Sequence, residues 1–352
     1  MKIFADYHHS GLYASLVMLL EGRLRNELYR PIGMDWFEKD YWKIAEPYGN
    51  NPNTARQFLE PHAIPVDGTP PLNNEITKKP GYISIEEKSN NVTHKAVTLT
   101  QLVEMNPDFI IASIPAHITS FRRLIKDYNL RSKLLYQVGN IGWHTQIPWG
   151  AFDGLMATVA PFPVPDNEKA VFYRQEFDLE IFKPGETRRN RNIFSFVNLL
   201  PEAQKFDALR RALPNYSFRS YGIGCTNGIL TSTQQIAKFM RGAEFGYHNK
   251  PGGDGYGHII HNWFAIGRPV IINLDDYRDK LAGELLADGE TCINMSGRSS
   301  KKVAEIINNM SDLEYTDMCS AITKRFEQVV DFANDAARVG EFLDACLQML
   351  HL

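Results

Sequence analysis

The chain has 352 residues, more than one hydrophobic core usually supports, so two domains are expected. Hydrophobic residues make up 43% and charged residues 22%, an ordinary globular balance, and a formal net charge of -3 supplies no bulk positive field for nucleic acid or an anionic membrane. Four widely spaced cysteines, Cys225, Cys292, Cys319 and Cys346, form no C-x-x-C pair, which argues against a zinc knuckle or disulfide framework and for reduced thiols in a cytoplasmic protein.

The opening MKIFADY (1–7) reads as a short strand, with no long apolar run after Lys2 to make a signal peptide. Leucines at 12, 16, 19, 20, 24 and 28 then recur every three to four residues, which predicts an amphipathic helix over 10–28 with Ser10 as its N-cap. Residues 31–95 are rich in Pro, Asn and aromatics and read as long loops with some helix. From 98 the pattern returns: a short helix, Asn-Pro-Asp, a buried strand to 114, a helix over 116–128 and a strand over 133–140. APFPVPDNEK (160–169) holds three prolines and reads as a linker. Alternation restarts beyond it, with strands at 193–198, 216–222, 244–249 and 269–273 and helices at 201–213, 232–243 and about 257–266; helices over 299–310 and 312–350 close the chain. The longest apolar runs have the length of a core strand and are too short to span a membrane.

This alternation predicts an α/β fold class: two Rossmann-like domains facing a cleft. The boundaries are 1–165 for an N-terminal acceptor-side domain and 166–335 for a C-terminal nucleotide-binding domain, with a C-terminal helix over 336–352 packing back on the first. Ligands bind at the carboxyl ends of such strands because helix N-termini and free amides converge there.

One segment carries most of the chemistry: KPGGDGYGHIIHNWFAIGRPVIIN (250–273). Gly253, Gly255 and Gly257 permit positive φ and close backbone approach around Asp254 and Tyr256. The helix that follows points its unpaired N–H groups at this loop, a site for a phosphate. Asp254 cannot hold phosphate, but a carboxylate can accept from two hydroxyls at once. A ligand with both groups is a nucleotide sugar. Asp254 reads otherwise as a turn former, Asn262 as an ordinary helix residue and Lys250 as a solvated lysine. HIIH (258–261) invites a zinc reading with His8, His9 and His248, but H-E-x-x-H is absent. The glycines of 222–228 depart from a dinucleotide fingerprint by one residue and read as a loop near the base; a P-loop and a G-x-S-x-G elbow are absent.

Over about 20 residues this segment resembles the donor-binding half of the GT-B glycosyltransferases, particularly the retaining kind with two acids eight residues apart. Asp254 stands at the first acidic position, Asn262 at the second, and NWFAIGRPVI at the small-residue helix ending in Gly-x-Pro-Val-Ile. The resemblance implies a metal-independent glycosyltransferase acting on a nucleotide-diphosphate sugar, most often a UDP sugar, with no further cofactor. It implies that Asp254 holds sugar hydroxyls and that position 262 holds the ribose, where Asn can accept and donate but lacks the charge of Glu. The diphosphate cation expected after the strand ending at Asn198 is matched only by Lys205, with Lys250 as the alternative. On the acceptor side, His8 and His9 follow the first strand and stand where an acceptor hydroxyl could be oriented or deprotonated, although structural histidines fit equally. His117, Asn140, Trp143 and His144 occupy later strand-end loops, with Trp143 able to stack on a sugar. Two other readings stay open: an epimerase or NAD-dependent oxidoreductase on a similar fold, though no proper G-x-G-x-x-G opens either half, and a non-catalytic nucleotide-sugar or glycan binder. The acceptor is unassigned among saccharide, protein, lipid-linked and modified-base classes.

Overall fold

The computed structural model describes residues 1–7, 10–31, 74–87, 90–139 and 145–348, and the chain divides into two units, Met1–Phe177 with Phe332–Leu352, and Asp178–Asp331. The first unit begins with β1 (Lys2–Ala5) and α1 (Ser10–Leu16), which widens into a π-helix over Val17–Arg23 before β2 (Glu27–Pro31). Its further strands are β3 (Asn74–Lys79), β4 (Tyr82–Glu87), β5 (Val92–Val97), β6 (Phe109–Ala112), β7 (Lys133–Val138), β8 (Gly154–Ala157) and β9 (Ala170–Phe172). The order across the sheet is β3-β4-β5-β2-β1-β6-β7-β8-β9. Pairing is parallel except at β3/β4 and β4/β5.

Residues 74–97 correct the loop-with-helix reading of 31–95; the remainder of that stretch, 32–73, lies outside the described residues. Two antiparallel pairs extend one edge of the sheet here. Pro80-Gly81 turns the first of them, with Gly81 at φ +81°, a turn a side chain would strain. Helix α2 (Leu99–Met105) starts on a capping box between Thr98 and Gln101, and α3 (Pro115–Asp127) places proline in its first turn. The proline-rich 160–169 segment lies inside this unit, because β9 follows it and pairs with β8.

The last helix, α9 (Phe332–Leu347), belongs to the same unit. Ala336, Val339, Leu343 and Cys346 recur at helical spacing and pack with Ile3, Ile111, Leu135 and Met156 on one face of the sheet. Gly154 is where β8 meets this helix: a Cβ there would stand 2.8 Å from the Phe342 ring and 3.0 Å from Cys346 Sγ. Gly154→Ala is therefore expected to destabilise the protein by about 1–3 kcal/mol through overpacking, read as a lower urea midpoint at unchanged slope. An unshifted midpoint would mean that α9 gives way freely.

The second unit holds β10 (Asn192–Ser195), α4 (Ala203–Ala212), β11 (Ser217–Ser220), α5 (Thr233–Arg241), β12 (Phe245–His248), α6 (His258–Ile266), β13 (Val270–Ile272), β14 (Cys292–Asn294), α7 (Ser300–Asn309) and α8 (Asp312–Val329). Its sheet runs β11-β10-β12-β13-β14, parallel throughout. The order reverses between β10 and β12, the switch point at which such sheets open a crevice. Ile193, Phe245, Tyr247, Ile271 and Ile293 face a core completed by Phe206 and Leu209 of α4 and Val303 and Ile307 of α7. All four cysteines are free. Among the described residues, no helix is long and apolar enough to cross a membrane.

Candidate functional site

Side chains alternate along β12, so Gly246 and His248 share the face opposite Phe245 and Tyr247. A Cβ on Gly246 would lie 2.5 Å from Trp263 Cε2, so glycine is what lets α6 lie close against the strand. The chain then turns through Lys250–Gly257. Gly252, Gly253 and Gly257 take φ of +75°, +75° and +79°, and a Cβ on Gly253 would meet the Asp276 carbonyl at 2.4 Å. Gly257 is the N-cap of α6 and offers no side-chain cap, so the helix presents backbone N–H groups without intrahelical partners to whatever stands before it.

Asp254 is the most heavily bonded residue of this loop. Its Oδ2 accepts from the Tyr277 hydroxyl at 3.0 Å and from His248 Nε2 at 2.7 Å, and its Oδ1 accepts from Lys250 Nζ at 2.5 Å. His248 and Tyr277 also lie 2.9 Å apart, which closes a triangle. Burial opposes ionisation of Asp254, but the hydrogen bond and charge from His248, with the Lys250 ammonium, outweigh it and hold the carboxyl well below the usual carboxylate range. Burial, and next the Asp254 charge, push the Tyr277 hydroxyl up, so it stays protonated and donates. A carboxylate has about four acceptor directions. Three are taken, leaving one on Oδ1 for a ligand.

Asn262 is 2% exposed in the second turn of α6, and its Oδ1 has no hydrogen-bond partner among the described residues. Tyr256 is buried and stacks on His261 (centroids 4.2 Å, 14° between planes), which makes it a packing residue of the loop; Gly255 beside it is half-buried. Lys250 is half-exposed beside Asp254. Asn198 Oδ1 accepts from the Ile223 N–H at 2.9 Å, tying the β10 loop to 222–228. Lys205 pairs with Glu202 at 2.8 Å, and Asn249 Nδ2 donates to the same carboxylate at 2.8 Å. Hydrogen bonds from Lys205 and Asn249 pull the Glu202 carboxyl below its ordinary value.

In the first unit, His117 is buried with Nδ1 2.6 Å from Asp6 Oδ2, which also accepts the Ser113 N–H at 2.8 Å; Ser113 Oγ donates to Asp6 Oδ1. This Asp-Ser-His cluster lies just past the carboxyl ends of β1 and β6. His8, His9, Asn140, Trp143 and His144 lie outside the described residues. Among those described, no three His, Cys, Asp or Glu side chains come together to hold a metal, so the His258/His261 pair finds no third ligand there.

Sequence reasoning missed Tyr277, Asp6 and Ser113 as site residues and the role of His248. It also missed the strain in the β10–α4 loop, where Leu199 (φ 61°), Leu200 (φ 38°) and Glu202 (φ 55°) are all left-handed. Each costs about 1–2 kcal/mol, and such strain gathers in functional loops. No local pattern announces either feature.

No protein-family model matches the chain, and no curated protein matches it. Solved structures do. HepE from Anabaena in complex with UDP-glucose superposes with a TM-score of 0.61 at 14% identity, over 98% of this chain and 100% of that one. Sucrose-phosphate synthase from Thermosynechococcus elongatus gives 0.59 at 11% identity, over 99% and 100%. A glycosyltransferase from Rickettsia africae gives 0.59 at 11%, over 99% and 98%. At such identities the likeness establishes a fold: the chain has the GT-B fold, two α/β units, one with a largely parallel and one with a wholly parallel sheet.

Proposed function

We propose that the protein is a glycosyltransferase that takes its sugar from a nucleotide-diphosphate sugar, with a UDP sugar as donor. The observation that carries this is the bonded Asp254 at the head of α6, in a fold whose solved relatives include HepE holding UDP-glucose. The Gly252–Gly257 backbone approaches the diphosphate, and the first N–H groups of α6 with Lys250 offset the charge that builds on the leaving group. The remaining acceptor direction of Asp254 takes a sugar hydroxyl, and Asn262, eight residues on, stands where the resemblance places the ribose contact. The eight-residue spacing of these two positions supports transfer with retention. The charge offset assigned to α6 and Lys250 supports a reaction that needs no metal, and composition supports a cytoplasmic setting. The acceptor class stays open.

A thermal-shift panel of UDP, GDP and CMP sugars tests the donor. A selective donor at a hundredfold its Kd stabilises the folded state by about 2.7 kcal/mol. A UDP sugar should raise Tm where the same sugar without nucleotide does not, and turnover should persist in EDTA. No shift with any nucleotide sugar would overturn the reading. A second reading, a binder without turnover, draws on Asn262 standing where an acid is expected and on Lys205 being held by Glu202. It predicts the same Tm shift with no product from any acceptor.

A further inference from the structure

The β10–α4 loop sets its sequence against its conformation. Pro201-Glu202-Ala203-Gln204 has the signature of a helix start, with proline at the first helical position and an acid in the first turn, and the sequence pattern places the helix over 201–213. The helix begins instead at Ala203, and Glu202 is a left-handed N-cap (φ 55°, ψ 42°) that makes no side-chain cap. Leu199 and Leu200 are left-handed as well, and Leu200 precedes a proline, which favours extended backbone. Non-glycine residues stay in this region only where their surroundings hold them there. Packing does not hold Leu199, which is 72% exposed.

Polar contacts hold the loop. The Leu199 N–H donates to the Ile223 carbonyl at 2.7 Å. The Glu202 carboxylate accepts from Lys205 Nζ at 2.8 Å and from Asn249 Nδ2 at 2.8 Å. Asn249 is 1% exposed and stands between His248 and Lys250, both of which bond Asp254. One carboxylate thus ties the first turn of α4 to the end of β12 and occupies a cation and an amide donor at the head of the Asp254 loop.

We infer that this loop is an autoinhibitory latch: Glu202 fills the place of an anionic ligand on Lys205 and Asn249, and an anion that takes those two donors releases Glu202 into the first turn of α4. The anion is the diphosphate of the donor, an identification that rests on the glycosyltransferase reading above. The exchange is like for like, because phosphate oxygens replace carboxylate oxygens on the same donors. Release also gives something back. Pro201 becomes the first residue of the helix, Glu202 lies at the positive end of its dipole, and the left-handed turn at Leu199, Leu200 and Glu202 relaxes. A ligand shifts such an equilibrium only through its differential affinity for the two forms, and an anion has that affinity because only the open form leaves Lys205 and Asn249 to it.

Calorimetric titration of the full chain with inorganic pyrophosphate and with UDP-glucose is the test. Glu202→Gln keeps the shape of the latch and removes its charge, and should tighten both ligands by about tenfold. Leu199→Gly lets the loop keep its left-handed turn without strain, which favours the latched form, and should weaken both by about threefold or more. Pyrophosphate has no apolar part for the lost leucine to touch, so its weakening reports the loop alone. Asp207→Asn removes an equal charge further along α4, where Asp207 pairs with Arg210, and should move pyrophosphate by less than about twofold. Pyrophosphate decides the latch. Equal affinity in wild type and Glu202→Gln overturns it, as does an equal gain from Asp207→Asn, or no binding to Glu202→Gln at all. UDP-glucose decides the donor reading: if pyrophosphate follows the expected order and no nucleotide sugar binds any variant, the latch stands and the diphosphate donor falls.

Discussion

Asp254→Asn is expected to lower donor turnover by at least about a hundredfold and to destabilise the protein by about 2–3 kcal/mol at neutral pH. The reason is the number of donors around one small group. The carboxylate receives the Tyr277 hydroxyl and His248 Nε2 on one oxygen and Lys250 on the other. An amide has the same shape but only one acceptor oxygen, so its NH₂ must face either the buried pair or the lysine. Facing the pair, it leaves Tyr277 and His248 pointing donors at a donor in a buried site. Facing the lysine, it gives up the charge that holds Lys250 at the loop. Lys250→Met should cost far less, about 0–1 kcal/mol, because that ammonium is half-exposed and its pair is largely screened.

Acid separates this account from a merely steric one. The folded carboxyl lies well below the ordinary aspartate value of about 3.9, so the unfolded chain binds more protons once pH falls into that window. The contribution of Asp254 is whole above about pH 5 and is lost progressively below about pH 4. The stability gap between wild type and Asp254→Asn, read from urea melts, should therefore narrow between pH 5 and pH 3. A gap that is constant with pH would show that charge plays no part.

Local spacing made the Gly-rich loop and α6 legible, because every signal lies within a few residues: glycines at fixed offsets, an apolar run, then Gly-Arg-Pro. The link between Lys250 and Asp254 is local too. The third partner is not. Tyr277 lies 23 residues beyond Asp254, and only the return of the chain through β13 and the Leu274–Asp276 turn brings it back. His117 and Asp6 are 111 residues apart and meet because β1 and β6 are parallel neighbours in register. Parallel sheets join distant segments in this way, and no window on the sequence reads it. The antiparallel edge at 74–97 failed differently. Of its strands NEITKK, YISIEE and VTHKAV, only YISIEE alternates apolar and polar residues, over Ile83–Glu86, so the period-2 signal was short, and only Pro80-Gly81 marked the turn. Strands of three or four residues, such as β8, β9 and β14, carry too few positions for any period to show.

Gly246→Ala should act on the same site from beneath. Gly246 sits mid-strand on β12, where glycine forfeits packing and β propensity unless something needs the space. Trp263 needs it. The indole is fully buried, and a new methyl would stand 2.5 Å from Cε2 and 2.7 Å from Nε1. Neither partner can yield easily: Gly246 is paired in register with Val270 and lies beside β10, and Trp263 is packed by Phe196 at 5.5 Å. The remaining freedom is a shift of α6 as a body. That shift costs about 1–3 kcal/mol as overpacking and carries Asn262 and the head of the helix away from Asp254. Donor affinity and stability should thus fall together in Gly246→Ala, unlike Lys250→Met, where donor affinity falls more than stability. Trp263→Phe supplies the missing room. Alone it leaves a cavity and destabilises; combined with Gly246→Ala it should recover at least about 1 kcal/mol relative to the sum of the two single changes, an interaction a double-mutant cycle measures directly. Additive losses in the cycle would mean that methyl and indole do not compete for one space, and the close seat of α6 on β12 would then need another cause.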